Sequence, residues 1–267
     1  MIKKLTLFIV AASMLIACRN EKKDTNASTD TKVDTLTYTY DSVKVYSKNI
    51  IKDNKNSDTA KASIKYPIFK NQSLNTYVNR QVLDYFSKED PSVSSYQEIV
   101  NSFIKGYDSF YTENKDTHQW WFLQIDIKVL RQTRDYIAMQ YMHSDYAGGA
   151  HGITTISYLN YNPKTNQAIT LDSLIEANQK PKLLSIAEGI FRKNEKLTAT
   201  EPLADKYFFD KGIFALAQSF YVSDKGLVFL YNPYEIKAYA FGTTELVIPF
   251  SALKEIAKPN TILTSSN

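Results

Sequence analysis

The residues best placed to do chemistry gather around one glycine-rich stretch, Tyr146-Ala147-Gly148-Gly149-Ala150-His151-Gly152, which holds three of the chain's eight glycines. Only three histidines occur, His118, His143 and His151. His143, Asp145 and His151 bracket the stretch, and imidazole with carboxylate is a zinc-ligand set. A metal-dependent hydrolase acting at this turn is therefore one reading. Against it, no ligand quartet and no recognised metal spacing accompanies the three residues, and a histidine packed at a strand end explains them more simply. Ser, His and Asp are all present, but nothing in their spacing nominates a triad. No Gly-x-Ser-x-Gly elbow, P-loop or Gly-x-Gly-x-x-Gly occurs. No enzyme, metal or cofactor is expected on these grounds. The glycines themselves have two readings. They let the chain reverse tightly, or their bare amides near Gly148 and Gly149 also receive an anion; double glycines are ordinary turn chemistry.

A second group lies near the C-terminus: Tyr231, the run Asn232-Pro233-Tyr234-Glu235, then Tyr239 and Phe241. Aromatic rings supply large contact area at low entropic cost, so these suit sugar stacking or a protein partner. Packing is the commoner use of aromatics on strands. Tyr234 and Glu235 sit beside Pro233 in a loop, where packing explains them less well. The candidate binding set is thus Tyr146, Gly148, Gly149, His151, Tyr234 and Glu235. The two stretches are expected to lie side by side and frame one surface.

The third group is a single residue. Cys18, the only cysteine, ends Leu15-Ile16-Ala17-Cys18 after the basic pair Lys3–Lys4 and the apolar run 5–17. That run is shorter than the ~20 residues a spanning helix needs and reads as a secretory signal peptide. Its ending resembles the bacterial lipobox, in which the cysteine is lipidated and becomes the first mature residue. The membrane, reached through lipidated Cys18, is the expected partner. Arg19 rather than aspartate follows, which by the sorting habit of enteric bacteria points to the outer membrane.

The elements that position these groups follow from pattern and composition. Loss of residues 1–17 removes two lysines and no acid, leaving 30 basic against 28 acidic side chains. With that balance and no basic stripe, nucleic acid is not an expected partner. Residues 19–32 carry no apolar side chain larger than Ala27 and read as a flexible tether, 18–32 with the cysteine. Strands are expected within 33–51 and 62–69, with a polar loop over 52–59 between them. Helices follow over 73–87 and from a capping box at Ser95–Glu98 to about Tyr111. Leu123, Ile125, Ile127 and Val129 alternate with polar residues, the cleanest period-two pattern in the chain. Three antiparallel strands are expected at about 120–132, 135–146 and 152–162. A helix opening near Pro181, a hairpin over 219–231, a last strand over 244–250 and a short closing helix complete the reading. The fold class is α+β, with antiparallel sheets and helices packed on one face, in two interlocked subdomains at 33–165 and 166–258 and a tail at 259–267.

With both signature stretches placed, the chain resembles a bacterial extracytoplasmic domain pair. That pair precedes the catalytic domain of PdaC-type peptidoglycan deacetylases and forms the sensor of the RsiV-type anti-sigma factor, which binds lysozyme. The matching residues are 146–152, Asn232 to Ile236, Tyr239, Ala240, Gly242 and Ile248-Pro249-Phe250, and the likeness covers roughly residues 35–255. Nothing here reads as the Asp-Asp and His-x3-His metal pattern of the deacetylases. The resemblance implies a lipid-anchored envelope binding protein, for a peptidoglycan glycan or a lysozyme-like protein.

Overall fold

The computed structural model describes residues 36–53 and 56–264. Cys18, the expected signal peptide and the expected tether lie outside the described residues. The described residues all fall in one compact unit.

The chain enters as a long hairpin, β1 (Tyr38–Asp53) and β2 (Asn56–Phe69). The stretch 52–59, expected as loop, is mostly strand. Its residues are all polar and show no apolar alternation, so periodicity carried no signal there. A register shift interrupts the ladder between Tyr46 and Ile50. Ser47 and Asn49, within the shift, both donate to the Asp108 carboxylate, the latter at 2.9 Å.

Two helices follow, α1 (Gln72–Phe86) and α2 (Tyr96–Glu113). Leu74, Val78 and Val82 form the buried stripe of α1. Ser95 caps α2 by accepting from the Glu98 amide at 3.2 Å. The Glu98 carboxylate also takes the amide and hydroxyl of Ser94 at 2.7 and 2.8 Å.

The expected meander is present as β3 (Phe122–Gln132), β4 (Ile137–Tyr146) and β5 (Ile153–Asn162), and β6 (Gln167–Ala168) adds a short edge. These join the hairpin in one six-stranded sheet ordered β1-β2-β3-β4-β5-β6. The sheet is not wholly antiparallel, because β2 and β3 run parallel, Ala62 facing Leu123 and Ile64 facing Ile125. A parallel pair needs a long crossover, and α1 and α2 are that crossover. Their apolar stripes close over Ala62, Ile64, Leu123, Ile125 and Ile127 as the first hydrophobic cluster.

The remainder comprises α3 (Leu171–Leu174), α4 (Lys180–Asn194, with proline in its first turn), and a three-stranded antiparallel sheet of β7 (Ser219–Val222), β8 (Gly226–Tyr231) and β9 (Thr244–Pro249), ending in α5 (Phe250–Leu253). All six residues of β8 are buried. The second cluster gathers here, and Tyr136 and Ala138 of β4 belong to it. Residues 136–139 are all buried, alternately toward the two clusters. Leu263, in the expected tail, is also buried in the second cluster.

The two sheets meet by side chain rather than by a shared ladder. Tyr136 donates its hydroxyl to Asn160 Oδ1 at 2.6 Å and accepts from the Val222 amide at 2.7 Å. Asn160 Nδ2 donates to the Phe220 carbonyl at 2.7 Å. Arg131 Nη1 donates to the carbonyls of Val222 and Ser223. The free edge of β7 is thereby satisfied by β3, β4 and β5.

Candidate functional site

The loop after β8 is fixed by an amide that imitates a strand. The middle of β5 has no ladder partner on its outer side, since β6 pairs only with Tyr161 and Asn162. The Asn232 side chain fills this position. Its Oδ1 accepts from the Ile156 amide at 2.7 Å, and its Nδ2 donates to the Ile156 carbonyl at 2.9 Å. The Glu235 carboxylate accepts from the Asn232 amide at 2.9 Å. Glu235, one of the candidate binding residues, is therefore engaged in shaping its own loop. Tyr231 is buried in the core, its hydroxyl donating to the Ala215 carbonyl at 2.7 Å.

On the facing side, Gly148 and Gly149 take φ of 99° and 97° and reverse the chain. Tyr146 donates to the Gly149 carbonyl at 2.9 Å and lies on Phe122 with ring centroids 6.3 Å apart, so it buttresses the turn from within. The Trp121 indole nitrogen lies beneath Gly148, buried and without a hydrogen-bond partner.

His151 leads out of the turn and meets the loop. Its Nδ1 is 2.9 Å from the Gly152 carbonyl. A carbonyl only accepts, so Nδ1 carries the proton in that contact and, in neutral imidazole, Nε2 is left as an acceptor facing the Tyr234 hydroxyl at 3.5 Å. The His151 ring stacks on Tyr239, with centroids 4.6 Å apart and planes 28° from parallel. Tyr234 lies 5.6 Å from Tyr239 at 32°. The result is a shelf of three adjoining rings, with Tyr234 50% and Tyr239 39% exposed, and Phe241 beside them in sequence 70% exposed. Of the sequence candidates, His151 and Tyr234 are brought into contact. Tyr146, Gly148 and Gly149 form the turn that presents His151, and Glu235, though exposed, is engaged by Asn232 of its own loop. Tyr239, outside the candidate set, is the ring that links the other two.

Among the described residues, Tyr234 is also one of five non-glycine residues with positive φ, at 70°. That region costs an ordinary residue about 1–2 kcal/mol. Its position is locked by its amide donating to Lys237 O at 2.9 Å.

His143 and Asp145 are elsewhere. They pair at 3.3 Å, with His143 packed against Tyr85 and Phe86 at ring distances of 5.0 and 5.7 Å. Among the described residues, no group of three His, Cys, Asp or Glu side chains comes together as a metal site, so His151 does not complete a ligand set with this pair. Burial lowers the His143 pKa below its usual 6.5, and the Asp145 carboxylate offsets only part of that. The unfolded chain therefore binds the proton more readily than the folded one, and stability is full above about pH 6.5 and declines as the pH falls through the lowered folded value. The denaturant midpoint is expected to drop as the pH falls below about 6.5, and His143→Gln to flatten that drop. The carboxylates with shifted values, such as Glu201 and Glu255, are lowered from 4.5 and titrate below that value. An unchanged slope in the variant would refute the assignment.

Two family models match parts of the chain. The family model described as Deacetylase PdaC matches residues 53–154. The one described as Protein of unknown function (DUF3298) matches residues 172–251. The chain matches the PdaC and DUF3298 families in tandem. The Asn232 clasp, Tyr234 and Tyr239 thus fall in the DUF3298 region, while His151 and the glycine turn close the PdaC region. The chain is 23% identical over 207 residues to the peptidoglycan-N-acetylmuramic acid deacetylase PdaC of Bacillus subtilis, covering 77% of this chain and 40% of that protein. It thus spans less than half the length of the relative. A DUF3298-family structure from Bacteroides fragilis superposes with a TM-score of 0.67 at 21% identity, covering 87% of this chain and 97% of the other. A second, from Pseudomonas aeruginosa, gives 0.64 at 17% identity, with coverage of 85% and 96%. The mixed α+β fold is that of the DUF3298 structures.

Proposed function

We propose that this chain is a lipid-anchored cell-envelope protein that binds glycan on the ring shelf of His151, Tyr234 and Tyr239. The observation that carries the reading is Tyr234. A half-exposed tyrosine held at φ 70° is a poor choice for stability, since glycine takes that conformation freely. Strain retained at an exposed aromatic is accounted for when the ring is needed where it stands. Stacked, open aromatic faces suit the C–H face of a sugar. The relation to PdaC, a protein named for its action on peptidoglycan, supports an envelope setting and a cell-wall glycan as ligand. The lipobox resemblance at Cys18 supports the anchor.

Tyr234→Gly separates the two roles of the residue. Stability is expected to hold or to rise by up to about 1 kcal/mol, while retention on insoluble peptidoglycan falls. A variant that loses stability and keeps its retention would show that Tyr234 serves packing. Retention of a lysozyme-like protein but not of glycan would reassign the shelf to a protein partner. The anchor has its own test. Cys18→Ala is expected to move the protein from the detergent phase to the aqueous phase; a variant processed normally and still in the detergent phase would refute lipidation.

A further inference from the structure

A cleft of about 480 Å³ opens between the β1–β2 hairpin, α1 and the first turn of α2, in a different set of elements from the ring shelf. Its size is within the range of small-molecule sites, about 300–1,000 Å³. Its lining is unusual in kind. Charged residues make up 22% of the chain, yet none lines this cleft. The face that α1 presents to it is Gln72, Asn75, Thr76 and Asn79, the i, i+3, i+4, i+7 stripe of that helix. Every polar group in that stripe is a neutral amide or hydroxyl, and Ser94 and Gln97 of the opposite rim continue the pattern.

The walls are fixed. Asn75 holds the corner between β2 and α1, accepting from the Phe69 amide and donating to its carbonyl, both at 2.8 Å. The Ser94 rim is tied down by Glu98, and Ser95 caps α2. Tyr66 and Tyr96 meet edge to face at 4.6 Å along one wall, and Val43 and Val78 add apolar surface. Burial holds the Tyr96 phenol neutral by raising its pKa.

An apolar and aromatic wall facing a row of uncharged donors and acceptors has the chemistry of a polyol with one C–H face. A charged ligand entering here would shed hydration and meet no charged side chain in the lining; the nearby carboxylates of Glu98 and Asp41 are already hydrogen-bonded, to Ser94 and to Tyr66. We propose that this cleft is a second binding site, selective for an uncharged saccharide. It deepens the glycan-binding reading but stands on residues that the ring shelf does not use.

The test is titration calorimetry of the full chain in detergent with four trisaccharides: cellotriose and tri-N-acetylchitotriose, both neutral, the cationic chitosan trimer, and the anionic trigalacturonate. At least one neutral sugar is expected to bind, and both charged ones to bind about tenfold or more weaker. Thr76→Trp, at an exposed position whose hydroxyl bonds only within its own helix in the structure, fills the cleft and is expected to weaken the neutral sugar about tenfold at unchanged melting temperature. Tyr234→Gly should leave the binding that is lost in Thr76→Trp unaltered. Failure of both neutral sugars to bind, equal binding of a charged one, or indifference to Thr76→Trp would each overturn the proposal. Neutral-sugar binding lost in Tyr234→Gly but kept in Thr76→Trp would place the ligand on the shelf alone. If retention on peptidoglycan fails while the trisaccharide result holds, it is the shelf reading that falls.

Discussion

Gly226→Ala is expected to cost more than about 4 kcal/mol, the range reserved for changes the fold cannot absorb. Gly226 opens β8, the central strand of the second sheet, at φ 149°. A β-carbon there would lie 2.0 Å from the Ile248 carbonyl oxygen and 2.8 Å from Pro249 Cα. Both are backbone atoms, so no side-chain rotation relieves the clash. Separating β8 from β9 would break the pairing of Leu227 with Ile248 and Phe229 with Leu246, all four residues buried. The same turn is held by Ser223, whose hydroxyl accepts from Gly226 N at 3.2 Å, so the residue cannot simply swing away. Gly189→Ala is the control. It sits within α4 with nothing within 4 Å of the new carbon, and alanine should add up to about 1 kcal/mol there. Urea unfolding of the two variants decides the matter. A loss under 1 kcal/mol for Gly226→Ala would mean that the β8–β9 register is wrong.

Where one face of an element is core and the other is wet, the sequence was readable. Leu123, Ile125 and Ile127 are buried in alternation, and Leu74, Val78 and Val82 fall on one side of α1. The parallel pairing of β2 with β3 was not readable, because nothing local distinguishes a parallel from an antiparallel partner. The far end of the first hairpin was not readable because 52–59 is wholly polar and offers no apolar alternation. At the site, the glycine turn and the Asn-Pro-Tyr-Glu loop stood out by composition, and their adjacency rests on Asn232, whose part as a stand-in strand depends on a gap in the β5 ladder that exists only in three dimensions. Glu235 looked like a binding group because a loop carboxylate usually is free; here it closes onto the Asn232 amide. One missed feature did have a signal. Tyr136-Ile137-Ala138-Met139 does not alternate in polarity, which a strand covered on both faces would show, and it marks where the second sheet docks.

Asn160→Leu tests that docking and is expected to cost about 3 kcal/mol, at the upper end of what an unpaired buried group costs. Asn160 is 4% exposed and both ends of its amide are used, one accepting from Tyr136 and the other donating to Phe220. Leucine has a similar size and leaves the cavity filled, so the loss reports the hydrogen bonds and not a void. What remains is a Phe220 carbonyl and a Tyr136 hydroxyl, both away from water, with the hydroxyl still able to accept from Val222. Tyr136→Phe removes the hydroxyl and strands the Val222 amide and one oxygen of Asn160; its expected cost is about 1–3 kcal/mol. The two side chains act as one relay, so their losses should not add. In the double variant only the Phe220 carbonyl and the Val222 amide lack their partners, and a coupling of about 1 kcal/mol or more is expected. Strict additivity would show that the two residues serve their own strands independently, and the sheets would then owe their contact to apolar packing alone.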